Sequence, residues 1–194
     1  MKALLFDTHA HYDDSRYDGD RQEVLKMIRE KGVERVVNIG ADMRSSENSM
    51  ELAREYDFIY TTVGVHPHEV KNMREEDLDT LEHWCKGEKV VAIGEIGLDY
   101  YYDNSPRDLQ KYWFKKQLAL AEKLDMPVVI HTRDATRDTL EILSESTAGG
   151  IIHCFSESAE VAKQLVKMGF YIAFGGTLTY KNARKAVEAA AATP

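Results

Sequence analysis

Seven times along its 194 residues this chain passes from a short apolar run, rich in valine and isoleucine, into a stretch with the spacing of an amphipathic helix. The runs open at 3–5 and recur at 35–39, 58–65, 90–95, 128–131, 151–153 and 170–174. Helical spacing follows at 21–31, 45–56, 75–86, from Pro106 to just short of Pro127, and at 136–144, 158–167 and 182–192. Strands that never follow one another directly cannot pair through hairpins, so they align in parallel with helices as crossovers. Two architectures satisfy this. A doubly wound sheet ordinarily carries Gly-x-Gly-x-x-Gly after an early strand, and the sequence has none. A (β/α)8 barrel of the TIM type puts its chemistry at the carboxyl ends of its strands, which is where the ligand-type side chains fall. The expected fold is α/β, a parallel TIM barrel with seven β/α units readable and the eighth missing from this chain, because eight units normally take about 250 residues.

The first apolar run leads into Phe6-Asp7-Thr8-His9-Ala10-His11. Alternate side chains on a strand share a face, so His9 and His11 can grip one ion from a single rigid element. Ligand-type residues close three later runs: Glu95, His131 and His153. Taken singly, each has a bland explanation, a surface histidine, a hydrogen-bonded core histidine or a lone carboxylate at a loop. Together, at one end of a barrel, they are costly to bury without an ion. Imidazole nitrogens and a carboxylate suit borderline divalent ions such as zinc or manganese, and a carboxylate can bridge two of them. Two ions about 3.5 to 4 Å apart can activate a water and hold the entering and leaving oxygens of a phosphate ester. A dinuclear hydrolase is the expectation.

Composition narrows the class further. Hydrophobic residues make up 43% and charged residues 30%, the balance of an ordinary soluble globular protein, and the length suits one hydrolase domain over 1–194. A formal net charge of −8 argues against holding nucleic acid on a broad basic surface, although bound metal ions can supply local positive charge. No apolar run is long enough to span a membrane and no leader pattern opens the chain, so the expected setting is the cytoplasm, with no membrane partner. Cys85 and Cys154 lack framework spacing, which fits a reducing compartment, and Cys154 is expected to turn away from any metal as a small buried hydrophobe.

Five stretches in order resemble the TatD family of metal-dependent deoxyribonucleases, within the amidohydrolase-like hydrolases. They are Asp7-Thr8-His9-Ala10-His11, Gly64-Val65-His66-Pro67-His68, Gly94-Glu95-Ile96-Gly97-Leu98-Asp99-Tyr100, His131-Thr132-Arg133-Asp134-Ala135 and His153-Cys154-Phe155-Ser156. The resemblance implies two divalent ions, with magnesium or manganese supporting activity, His9 and His11 on one, His131 and His153 on the other, and Glu95 bridging them; the donor chemistry admits zinc as well. It implies DNA as substrate, single strands or strand ends, cut at phosphodiester bonds and often from the 3′ end. His66 matches a histidine near the phosphate, and Arg133 is a phosphate clamp on charge grounds. His68 and His83 are read as solvated or structural. The family's last strand ends in an aspartate within a Glu-Thr-Asp-like stretch, and none follows Ala189. A missing eighth strand is expected to leave the first and seventh strands with unpaired edges.

Two other readings remain open. The same His-x-His barrel serves hydrolases of cyclic amides, lactones or D-aminoacyl-tRNA esters, which a carbamylatable lysine late in the middle strands would favour; Glu95 stands there instead. A metal-binding chain without turnover is the third. Under the nuclease reading, Tyr100 to Tyr102 either stack bases or pack beneath the long helix.

Overall fold

The computed structural model describes residues 4–194, so Ala3, the start of the opening apolar run, lies outside the described residues. In chain order the elements are β1 (Leu5–Ala10), α1 (Arg21–Lys31), β2 (Val33–Asn38), α2 (Met43–Glu55), β3 (Ile59–Val63), α3 (Glu75–Trp84) and β4 (Val90–Asp99). There follow α4 (Arg107–Leu124), β5 (Val128–Arg133), α5 (Thr136–Ser144), β6 (Gly150–Ile152), α6 (Ala159–Lys167), β7 (Phe170–Ile172) and α7 (Arg184–Ala192). Every neighbouring pair of strands is parallel, and the strands lie in the sheet in the order of the chain, β1 to β7. Crossovers between parallel strands are right-handed almost without exception. When each one steps the same way, all helices fall on one face and the sheet curls into a partial barrel. Leu5, Phe6 and Tyr171 are exposed on β1 and β7, the two ends of the sheet, which pair with no further strand among the described residues.

Local chemistry sets the boundaries. Gly32, with φ of 105°, stops α1 in the left-handed conformation that a residue lacking Cβ takes at little cost. A capping box opens α2: the Asp42 carboxylate accepts from Ser45 N at 2.6 Å while the Ser45 hydroxyl accepts from Asp42 N at 2.8 Å. Pro106 serves as the N-cap of α4 rather than as its first helical residue.

One strand differs from the sequence expectation in a way that matters for the site. β4 does not end at Glu95 but runs to Asp99, because Ile96, Gly97, Leu98 and Asp99 resume pairing with Ile130, His131, Thr132 and Arg133 after a register shift. Glycines at 94 and 97 read locally as the close of a strand, yet here they let two backbones approach. A Cβ on Gly97 would lie 1.9 Å from the His131 carbonyl oxygen, and its φ is 142°.

The main core lies between the strands and α4, with Ile93, Ile96, Leu98, Ile130 and Ile152 packed among Trp113, Phe114, Leu118 and Ala121. Two buried glutamines carry the order of α4 to the strand ends. Gln117 accepts from Val65 N at 2.8 Å and donates to its carbonyl at 3.0 Å, fixing the backbone next to His66. Gln110 accepts from Asp99 N at 2.8 Å and donates to its carbonyl at 3.1 Å. No helix among the described residues is long and apolar enough to cross a membrane.

Candidate metal centre

His9 lies near the end of β1 and His11 one residue beyond it, and their Nε2 atoms face each other at 3.2 Å. His11 Nδ1 donates to the Ile39 carbonyl at 3.1 Å, which selects the tautomer whose Nε2 lone pair points inward. Glu95, buried in β4, has its backbone N–H on the Gly40 carbonyl at 2.7 Å. Its carboxylate reaches both ways: Oε2 is 3.3 Å from His9 Nε2 and Oε1 is 3.0 Å from His131 Nδ1. Two groups of donors result, His9 with His11 and Glu95, and His66 with Glu95 and His131, each with atoms within 4.8 Å of one another. Glu95 belongs to both.

Of the residues singled out in the sequence, His9, His11, Glu95, His131 and His66 therefore converge. His153 comes to the same mouth, but its ring lies flat on His9, with centroids 3.3 Å apart, rather than joining the donor group of His131. Arg133 stands at the rim, its guanidinium stacked over the Tyr101 ring at 4.0 Å.

Two residues were missed. Asp99 is fully buried, and its Oδ2 sits 3.0 Å from both His131 Nε2 and His68 Nε2. Its signal is the length of the strand: once β4 runs past Glu95 to Asp99, both carboxylates reach His131, at 3.0 Å each. His68, read as solvated or structural, is drawn into the site by that carboxylate. Cys154 also differs from expectation. β6 ends at Ile152, so strand alternation no longer governs His153 and Cys154, and Cys154 takes φ of 46° and lines the same cavity as His153. That cavity, of about 580 Å³, carries Arg133, Arg184 and Lys185 on its wall and no carboxylate among the described residues. Arg184 is paired with Glu188 at 2.9 Å, so the positive charge that this chain of net charge −8 presents beside its histidines rests on Arg133 and Lys185.

The donor set fits divalent cations. His9 Nε2 faces His11 Nε2 at 3.2 Å and Glu95 Oε2 at 3.3 Å, a crowding of nitrogen and carboxylate donors about one point, while Nδ1 on the same ring is buried without a hydrogen-bond partner among the described residues. Proton affinities report the same crowding. Burial lowers His66 to about 3, and burial with neighbouring His9 lowers His153 to about 4. Burial would also depress His131, but hydrogen bonds to Asp99 and Glu95 outweigh it and push it up to about 9. Glu95 is held well below the usual carboxylate range, its burial overcome by hydrogen bonds from His131 and His9. Without metal, a proton on His131 stands between two carboxylates, where a cation would otherwise balance them.

This has a measurable consequence for the metal-free protein. His66 and His153 stay neutral in the fold, so as pH falls below 6.5 the unfolded chain takes up protons that the folded one does not. Stability should fall by about 1.4 kcal/mol per pH unit for each. His131 acts oppositely: its contribution is complete below 6.5 and is lost as pH rises through about 9. Urea midpoints of chelator-treated protein should therefore peak near neutrality, and His66→Gln should flatten the acid limb; an unchanged acid limb in that variant would contradict the assignment.

A parallel β/α barrel with imidazoles and a carboxylate shared between two donor groups toward the carboxyl ends of its strands defines a metal-dependent hydrolase. The sequence model of the TatD related DNase family matches residues 6–194. The chain belongs to the TatD family. It is 50% identical over 188 residues to the uncharacterized metal-dependent hydrolase YabD of Bacillus subtilis, covering 95% of this chain and 74% of that protein. The 3′-5′ ssDNA/RNA exonuclease TatD of Cronobacter sakazakii is 33% identical over 175 residues, covering 89% of this chain and 66% of its own length. Among solved structures, the TatD homologue YjjV of Escherichia coli K12 superposes with a TM-score of 0.92 at 30% identity, over all of this chain and 76% of that one.

Proposed function

We propose that the chain hydrolyses phosphodiester bonds of DNA at single-stranded ends, using two divalent cations, magnesium, manganese or zinc, held by His9, His11, Glu95 and His131, with His153 stacked on His9 at the same mouth. The observation that carries this is the Glu95 carboxylate, shared by two donor groups. When bound, such cations lower the pKa of water and neutralise charge on phosphate oxygens. The chain's own residues do the rest. Glu95 orients the two histidine groups toward each other. Asp99 holds the His131 ring through Nε2, leaving Nδ1 aimed at Glu95. His66 lies beside His131, with ring centroids 4.4 Å apart, where a scissile phosphate would meet it. Arg133 and Lys185 give the adjoining cavity the charge that attracts a polyanion, Arg184 being paired with Glu188. Phosphodiesters fit this wall better than neutral amides or lactones. The unpaired Cys85 and Cys154 suit work in the reducing cytoplasm.

A substrate panel tests the reading. End-labelled single-stranded oligonucleotides should be shortened in manganese or magnesium and left intact after EDTA. Turnover confined to cyclic amides or aminoacyl esters, or phosphodiester cleavage that survives chelation, would overturn it.

A further inference from the structure

We propose that Tyr101, Tyr102 and Arg133 form a stacking platform that takes one unpaired nucleobase beside the metal centre, and that this platform makes single strands the preferred substrate. The inference rests on the phosphodiesterase reading above and deepens it.

The three tyrosines after Asp99 are not alike. Tyr100 is half-buried, with its hydroxyl donating to Asp138 at 2.7 Å, so it packs within the fold. Tyr101 and Tyr102 are 58% and 54% exposed, two adjacent rings turned to solvent. The turn is held rigidly. Asp99 Oδ1 accepts from Tyr101 N at 3.0 Å and from Tyr102 N at 2.9 Å, while its Oδ2 faces His131 and His68. One carboxylate therefore ties the exposed rings to the histidine cluster, and Arg107 closes the turn on Asp103 at 2.7 Å. Ring contact is continuous as well: Tyr101 stands perpendicular to Tyr102 at 4.8 Å, and Tyr102 stands against His68 at 5.3 Å.

Arg133 completes the platform. Its guanidinium carbon lies 4.0 Å from the Tyr101 centroid and 4.8 Å from that of Tyr102, and it meets no hydrogen-bond acceptor among the described residues. The same side chain lines the cationic cavity next to His131 and His153. A guanidinium whose face is spent on aromatic rings keeps its N–H edges for an anion. Exposed rings next to an uncommitted guanidinium suit a nucleotide, the base on the rings and its phosphate on the N–H edge. Every base has a π-face, so recognition of this kind tolerates sequence. Bases inside a duplex have both faces covered by their neighbours, so the base must be unstacked and unpaired to be held.

The test is binding of the manganese-loaded protein to two fluorescein-labelled five-nucleotide thymidine oligomers with cleavage-resistant phosphorothioate linkages, one with all bases and one with abasic sugars, read by anisotropy. The native protein should bind the base-bearing oligomer about tenfold or more tightly than the abasic one, the range that base-on-aromatic stacking spans. The Tyr101→Leu/Tyr102→Leu variant should lose that ratio, and Tyr101→Phe/Tyr102→Phe, which keeps both rings, should retain it. Equal binding of the two oligomers by the native protein, or a ratio preserved in the leucine variant, would overturn this inference and leave the phosphodiesterase reading standing. Binding of neither oligomer would overturn both.

Discussion

Glu95→Gln is expected to reduce hydrolysis by at least about a thousandfold while leaving the fold intact, the several kcal/mol that metal-assisted charge stabilisation supplies. The substitution preserves volume, so packing around this buried position is kept. What it removes is the negative charge that both donor groups share, with oxygens 3.3 Å from His9 and 3.0 Å from His131. An amide offers one acceptor oxygen where a carboxylate offers two, and its NH2 group meets one of the imidazoles as a donor. Metal content after dialysis against manganese should fall with the activity. Loss of activity with full metal content would shift Glu95 from holding ions to handling a proton, and unchanged activity would remove it from the site.

Gly97→Ala should be the most destabilising single methyl in the molecule's active half, at about 4 kcal/mol or more. Two costs coincide. The alanine must take φ of 142°, which L side chains rarely adopt, and its Cβ would lie 1.9 Å from the His131 carbonyl oxygen, a backbone atom that cannot rotate away. Relief requires β4 and β5 to separate at the point where Glu95, Asp99 and His131 meet, so metal uptake should fall along with the urea midpoint. Gly19→Ala is the control, since nothing lies within 4 Å of its Cβ, and it should stay within about 0.5 kcal/mol of the native protein. Equal stability of the two variants would show that β4 and β5 do not pair closely beyond Glu95.

Periodic signals are legible in the sequence. The helices at Arg21–Lys31 and Thr136–Ser144 have the bounds expected from apolar spacing, because a 3.6-residue repeat and a stop signal such as Gly32 are local properties. Features set by strand pairing are not. The extension of β4 to Asp99 depends on a register shift against β5, and no stretch of β4 alone announces it. Without that extension Asp99 falls in a loop, and neither it nor His68 is brought to His131. Cys154 was placed by strand alternation beyond the point where the strand had ended.

Alone, then, the order of residues determined that strands and helices alternate, that the strands run parallel, and that His9, His11, His131 and His153 stand at or just beyond their carboxyl ends, since each follows from neighbours within a few positions; that Glu95 lies within β4, which runs on to Asp99, depends on pairing with β5. Tertiary structure decided which of these side chains share a donor group, that His66 joins Glu95 and His131 while His153 stacks on His9, and that two of three consecutive tyrosines face solvent. Those outcomes turn on distances between segments tens of residues apart, set by register and by the close approach that glycine permits, and no local pattern encodes them.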